Sequence, residues 1–418
     1  MHKSSKIKID ALQSLFFIAH TMEYSKKTRQ ELVLLCKEKK LKGYSGKKKG
    51  ELISLLTGAI ASQPSVVPQD KVSRLNYIGS KYQLLDWLTT TMKIKTGWES
   101  FAEKTFVDMF AGTGIVSYHF RKQMCKVLSN DAELYSSIIT RAQTCSIANT
   151  NCISLLNSLQ SELNAKKHES VAGFITKHYS PYNGNERKFF TVENAKRIDY
   201  IRGRIEELKS ELSSDDYTFI LASLLISADA VSNVPAVYGC YLKNFKAKAT
   251  KALTLIPIHT NIEPCVANSA TYNYDVLNTE FLDSISADIV YLDPPYNERQ
   301  YSKNYFPLNI IAKTPDQLTT EPPLKGITGI PVDCFLSPFC KKGKTVENAF
   351  ETLFRELKTK WIFLSYNSES IVSKDKMVEL MKKYGSVSVE EREYKRFKSF
   401  EYNKDVSIKE YIFCLQKH

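Results

Sequence analysis

The chain has no CxxC pair among its nine cysteines, and its seven histidines fall at no ligand spacing with them. That pattern indicates neither a structural zinc site nor a disulfide framework, and it suits cysteines that stay reduced. No run approaches the roughly 18 apolar residues a membrane helix needs. Met1-His2-Lys3-Ser4 leads into no signal-peptide core, so the expectation is a soluble, cytoplasmic protein with neither membrane nor metal in its chemistry. A complete GxGxxG is missing too: Gly112-Thr113-Gly114 is followed by Ser at position 117, which counts against a dinucleotide fold. Acidic residues are outnumbered. Against 58 Lys and Arg stand 45 Asp and Glu, a net charge of +13 that points to a polyanionic partner, nucleic acid first.

With 418 residues, 43% hydrophobic and 25% charged, the chain has room for two or three domains and a large core. The basic excess is uneven. Residues 1–60 hold 13 Lys/Arg against 5 Asp/Glu, and so carry +8 of the +13. Thr28-Arg29-Gln30-Glu31 has the pattern of a capping box, with Leu32, Leu35 and Cys36 at helical spacing before Gly43. A second helix should carry Leu52, Ile53, Leu55 and Leu56, with Lys47, Lys48 and Lys49 opening it. The two readings of this module are a DNA-binding helical pair and a lysine-rich hairpin used for protein contact. Pro and Ser between Gly58 and Gln69 mark a linker, placed at 61–71.

The most informative stretch is Asp293-Pro294-Pro295-Tyr296, which closes the apolar run Ile289-Val290-Tyr291-Leu292. A buried strand running into a rigid loop fits these residues, as does a plain proline turn with Asp as a local cap. The chemistry that wants them is methylation of an exocyclic amine on a planar base. Such an amine is a poor nucleophile, so a site must hold both N–H bonds and aim the lone pair at the methyl donor. The Asp293 carboxylate and the Pro294 carbonyl offer two acceptors, proline rigidity fixes the second, and Tyr296 offers a stacking face for an extruded base.

Upstream, Thr105–Phe110 reads as a strand that Ala111-Gly112-Thr113-Gly114 turns into a helix near Ile115. Lys126–Asp131 reads as the next strand, ending in an acid placed to bind the two hydroxyls of a ribose. Residues 151–270 read as mostly helical, with Glu193–Leu212 amphipathic and Phe219–Val231 apolar, an insertion between two halves of one sheet. Arg187, Lys188, Tyr241 and Lys243 in this insertion, with Arg299 and Tyr301 after the catalytic loop, are candidates for nucleic-acid contact. A Pro- and Gly-rich loop spans 319–338. A helix over 346–358 feeds a strand over 361–367, and alternating runs near 386–393 and 409–415 suggest a terminal antiparallel pair.

Taken together, these motifs resemble the Dam-like DNA adenine methyltransferases, over roughly residues 72–416. The motif order, with the donor region before DPPY and a domain inserted between, is that of their alpha group, and residues 1–60 look like a SAP-type DNA-binding module. The resemblance implies a Rossmann-like class I methyltransferase fold, an α/β architecture with a mostly parallel seven-stranded sheet. It would be formed by 72–150 and 271–418, with 151–270 as target-recognition domain. It also implies S-adenosyl-L-methionine as donor, held by Tyr77, Lys81, Asp108, Phe110, Gly112, Gly114, Asp131, Asp275 and Asp293. Double-stranded DNA would be the substrate, and a cognate restriction endonuclease the partner. Methylation of adenine in RNA or of cytosine in DNA, and a catalytically dead DNA-binding protein, stand as alternatives.

Overall fold

The computed structural model describes residues 27–38, 44–49, 52–53, 56, 71–319, 323–395 and 407–418. Residues 61–70 of the expected linker, Gly43 and Leu55 lie outside these residues. The chain divides into two compact units, Met1–Asp70 and Lys71–His418. In the first, the capping box forms: the Thr28 N–H donates to Glu31 Oε2 at 2.6 Å and the Glu31 N–H to Thr28 Oγ1 at 3.3 Å, opening the helix Arg29–Glu38. Its buried face, Leu32 and Cys36, packs with Leu52 and Leu56.

Among the described residues of the second unit nine strands follow: β1 (Thr105–Asp108), β2 (Lys126–Asn130), β3 (Ala270–Tyr272), β4 (Ser286–Leu292), β5 (Leu324–Lys325), β6 (Ile330–Pro331), β7 (Lys358–Asn367), β8 (Gly385–Lys395) and β9 (Ser407–Lys417). Seven form one sheet in the order β3-β2-β1-β4-β7-β9-β8. All pairings from β3 to β7 are parallel, and β9 runs antiparallel to both neighbours. This is the expected Rossmann-like α/β sheet with its terminal antiparallel pair. The remaining two strands, β5 and β6, form a hairpin within the stretch expected to be a loop.

Alternate residues of the central strands feed two cores, which is why these strands read as unbroken apolar runs. Phe106, Ile289, Tyr291 and Phe363 face the helices Leu85–Thr96 and Ile115–Lys122. Val107, Val290, Leu292, Ile362 and Leu364 face the helices Lys344–Glu356 and Lys374–Lys382. The first of these latter two buries Val346, Ala349, Phe350 and Leu353 at the three-and-four spacing of one helix face.

Between β2 and β3 the chain forms helices Leu134–Cys145, Thr150–Asn164, Phe174–Tyr179, Val192–Glu207 and Ser214–Ala230, followed by irregular chain to 269. Asn149, Thr191 and Ser213 cap three of them, each side chain accepting a backbone N–H three residues on. Their shared core reaches beyond residues 151–270. It takes in Tyr135 and Ile139 from before, and Phe306, Leu308 and Ile311 of the helix Phe306–Ala312 from after the catalytic loop.

Candidate active site

The sheet reverses direction of growth between β1 and β4, and a crevice opens at the carboxyl ends of strands at such a point. Asp108 ends β1, Asp293 follows β4 and Asp131 follows β2, so all three acids arrive at one edge. A cleft lies there, open to solvent and spanning about 920 Å³ of empty space with its mouth included. Its lining includes Tyr77, Lys81, Asp108, Phe110, Gly112, Asp131, Asp275, Asp293, Pro294, Pro295, Tyr296 and Tyr301, candidates drawn from five separate stretches of sequence.

Lys81 is buried, and its Nζ lies 2.7 Å from Asp293 Oδ1 and 3.1 Å from the Gly79 carbonyl. Burial raises the Asp293 carboxyl above the ordinary carboxylate range, and Lys81 opposes that rise. Burial also works against the Lys81 ammonium, but Asp293 and Glu410 outweigh it and hold its pKa above the usual lysine value. The two side chains meet at salt-bridge distance, with Oδ1 taken by the lysine.

Asp131 Oδ2 accepts the Gly112 N–H at 2.7 Å, and its Oδ1 accepts the Glu133 N–H at 2.9 Å. These bonds fix the carboxylate at the cavity wall. Gly112 has φ of +55°, and a Cβ there would stand 3.1 Å from the Tyr77 ring, so only glycine suits the position. Gly114 stands behind the lining as the N-cap of the helix Ile115–Lys122, where a Cβ would fall 2.5 Å from Gln143 Oε1. Asp108 accepts from Ser117 Oγ at 2.7 Å through Oδ2, while its buried Oδ1 has no hydrogen-bond partner. Burial pushes its carboxyl up to about 7.

An aromatic wall completes the cavity. Tyr77 stacks on Tyr305 with ring centroids 4.8 Å apart and meets Tyr301 at 5.4 Å. Tyr305 Oη accepts the Ile78 N–H at 3.0 Å, and Tyr301 Oη donates to the Ile78 carbonyl at 3.2 Å. Asp275 is exposed at the rim, its Oδ1 accepting the Leu277 N–H. The cap of the following helix Thr279–Ser284 is Asn278 rather than Asp275.

Three residues of the site carry no local sequence signal. Glu133 is buried in the lining, its Oε2 accepting from Asn309 Nδ2 at 2.6 Å, and burial pushes its carboxyl up to about 8. Asn309 comes from the helix after the catalytic loop. Glu410, opposite Asn367 on β9, supplies a second negative charge to Lys81.

The candidates for nucleic-acid contact scatter. Arg187 spends its guanidinium on the backbone carbonyls of Ile327, His178 and Gly326, and Lys188 Nζ donates to the Lys243 carbonyl. Tyr241 packs edge-on against Phe189. Lys243, Arg299, Lys48 and Lys49 are exposed, Lys47 is half-buried, and Tyr301 lies in the cavity wall. Among the described residues no group of His, Cys, Asp or Glu is arranged to hold a metal ion, and no helix is long and apolar enough to cross a membrane.

Comparison with known proteins agrees with this geometry. The chain is 38% identical over 345 residues to the type II methyltransferase M.CviAII of Paramecium bursaria Chlorella virus 1, covering 82% of this chain and 98% of that one. It is 38% identical over 349 residues to the type II methyltransferase M.NlaIII of Neisseria lactamica, covering 82% and 99%. With the type II methyltransferase M.FokI of Planomicrobium okeanokoites the identity is 34% over 357 residues, 82% of this chain and 53% of that one. Residues 77–380, which hold every lining residue named above, match the family described as D12 class N6 adenine-specific DNA methyltransferase, and the chain belongs to that family.

Proposed function

We propose that the protein transfers a methyl group from S-adenosyl-L-methionine to N6 of adenine at a specific sequence in double-stranded DNA, as the modification half of a restriction–modification pair. The observation that carries this reading is the single cavity bordered both by the Lys81–Asp293 pair with Tyr296 and by Gly112 with Asp131.

The donor fits the residues present. The lining has five carboxyl groups, Asp108, Asp131, Glu133, Asp275 and Asp293, and a single basic side chain, Lys81, which is already paired with Asp293, so it offers no second Lys or Arg to pair with a polyphosphate. The unpartnered Asp108 Oδ1 and the close approach allowed at Gly112 are features that a bound polar ligand would use. Asp131 would hold the ribose hydroxyls, and Tyr77 and Phe110 would border the donor. When bound, S-adenosylmethionine supplies a methyl on a sulfonium, whose carbon–sulfur bond breaks toward sulfur as the carbon–nitrogen bond forms.

The protein's own part is positioning and electrostatics. With Oδ1 held by Lys81, Asp293 Oδ2 accepts one N–H of the adenine amine, and the Pro294 carbonyl accepts the other. Tyr296 stacks on the base, and Pro295 stiffens the loop between them. As the amine attacks, its nitrogen gains positive charge, and the two oxygens stabilise that charge more than they stabilise the neutral amine. Residues 151–270 serve as the target-recognition domain, since their helices pack beside the catalytic loop through Phe306 and Leu308. The first unit, with Lys47, Lys48 and Lys49, acts as a SAP-like module on DNA phosphates, and the motif order is that of the Dam-like alpha group.

Purified protein given labelled S-adenosylmethionine with either DNA or RNA tests the reading. Label recovered as N6-methyldeoxyadenosine from DNA supports it. Label in RNA, or in methylcytosine, overturns it.

A further inference from the structure

Three of the nine exposed large hydrophobic side chains among the described residues fall within ten positions: Ile327, Val332 and Leu336, at 81%, 46% and 50% exposure. Ile327 stands at the tip of the β5–β6 hairpin, in a turn closed by the Gly329 N–H donating to the Gly326 carbonyl. That turn is tied down from below. Arg187 Nε donates to the Ile327 carbonyl at 3.0 Å, and the buried Tyr179 hydroxyl donates to the Gly329 carbonyl at 2.9 Å. A Cβ on Gly329 would come within 2.6 Å of Arg187 Cζ, so the guanidinium lies against the turn itself. The hairpin is thus fixed by side chains beneath it while presenting its largest apolar group to water, which gives the isolated protein no burial in return.

The hairpin continues into the catalytic cavity. Phe335 and Ser337, a few residues on, line it. Gln300 holds Ser337 by two bonds, Nε2 to the carbonyl at 3.1 Å and the Ser337 N–H to Oε1 at 2.8 Å. Lys325 on the hairpin, two residues before Ile327, and Lys303 after the Asp293–Tyr296 loop are exposed. An apolar tip with a lysine on the same hairpin, in a segment that runs on to the cavity wall, complements the stacked interior and charged backbone of a DNA duplex.

We propose that Ile327 is a wedge that enters the duplex beside the target adenine and fills the space the base leaves when it turns into the cavity. The proposal rests on the reading of that cavity as the place of an extruded adenine. Extrusion costs the stacking and pairing of the base, and an apolar side chain in the gap recovers part of the stacking. The lysines position the strand, and Arg187 acts through the hairpin it anchors.

The test uses full-length protein and a duplex containing its methylated sequence, identified by sequencing modified DNA. In one form 2-aminopurine replaces the target adenine, and in another an abasic site stands opposite it, which removes most of the cost of extrusion. Ile327→Ser should lower turnover on the intact duplex by about tenfold and reduce the 2-aminopurine fluorescence rise, with near-normal turnover opposite the abasic site. Ile327→Met, which keeps the apolar volume, should stay close to wild type on both duplexes. Binding of S-adenosylmethionine, read by calorimetry, should be unchanged in both variants. The proposal fails if Ile327→Ser matches wild type on the intact duplex, as it would if the hairpin served a protein contact, or if it loses the same factor on both duplexes. Wild-type protein that methylates no adenine in DNA would remove the underlying reading, a result visible before any variant is made.

Discussion

Lys81 Nζ and Asp293 Oδ1 meet at 2.7 Å in the wall of the cavity, one from the loop before the helix Leu85–Thr96 and the other from the end of β4. The contact ties the segment that precedes the sheet to the Asp293–Tyr296 loop. Burial raises the pKa of the Asp293 carboxyl, and Lys81 lowers it, so Lys81 favours the ionised, accepting form. Lys81→Met should remove that support, and the Asp293 pKa should rise further. Activity near neutrality should fall and recover in part as pH increases, so the acid limb of the pH–rate profile moves upward. A profile with the acid limb unmoved would show that Lys81 does not set the ionisation of Asp293.

Gly112→Ala places a Cβ against the Tyr77 ring at a φ of +55°, where an L side chain is strained by about 1–3 kcal/mol. The same change disturbs the N–H that holds Asp131. Calorimetry should find S-adenosylmethionine binding weakened by about tenfold or more, in line with that strain. Unchanged affinity would place the donor away from this turn.

Glu133 gives a stability test with a defined sign. Its carboxyl is raised from 4.5 to about 8, so between those values the folded state holds a proton that the unfolded chain releases. Stability is then greatest below the lower value and declines as pH rises toward the upper one. Asp108, raised from 3.8 to about 7, acts in the same direction. Melting temperature should fall from pH 6 to 8.5 in the wild type and fall less in Glu133→Gln. Parallel curves would show that Glu133 does not bind the extra proton.

Much of this site is legible in the sequence because class I strands deliver function at their carboxyl ends. Asp108, Asp131 and Asp293 each sit at or just after the end of an apolar run, and the glycines and prolines beside them mark turns. What the sequence conceals are partners far apart along the chain. Nothing near Glu133 announces Asn309, and nothing near Lys81 announces Glu410. Arg187 reads as a DNA contact in isolation, but the carbonyls of Gly326 and Ile327, brought under it by the fold, consume its donors. The loop expected over 319–338 contains a hairpin whose strands are two residues each, too short for any alternation to show.

The +8 charge within residues 1–60 predicts a division of labour. Each phosphate that a lysine neutralises releases counterion, so this module should raise non-specific affinity without reading sequence. Deleting residues 1–68 should weaken DNA binding and flatten its dependence on salt, while the methylated sequence stays the same. A changed sequence would assign the module to readout, and an unchanged salt slope would remove it from DNA.

The central claim is that Asp293 in this cavity directs methylation to adenine in DNA. Single-molecule sequencing of genomic DNA from a methylation-free host expressing the wild type or Asp293→Ala tests it most directly. Loss of one preorganised acceptor should cost on the order of 10²–10³ in rate. The wild type should therefore mark adenine N6 at one short sequence throughout the genome, and Asp293→Ala should leave that sequence essentially bare while its purified form still binds S-adenosylmethionine. Equal modification by the two proteins, or modification confined to cytosine, would contradict the account.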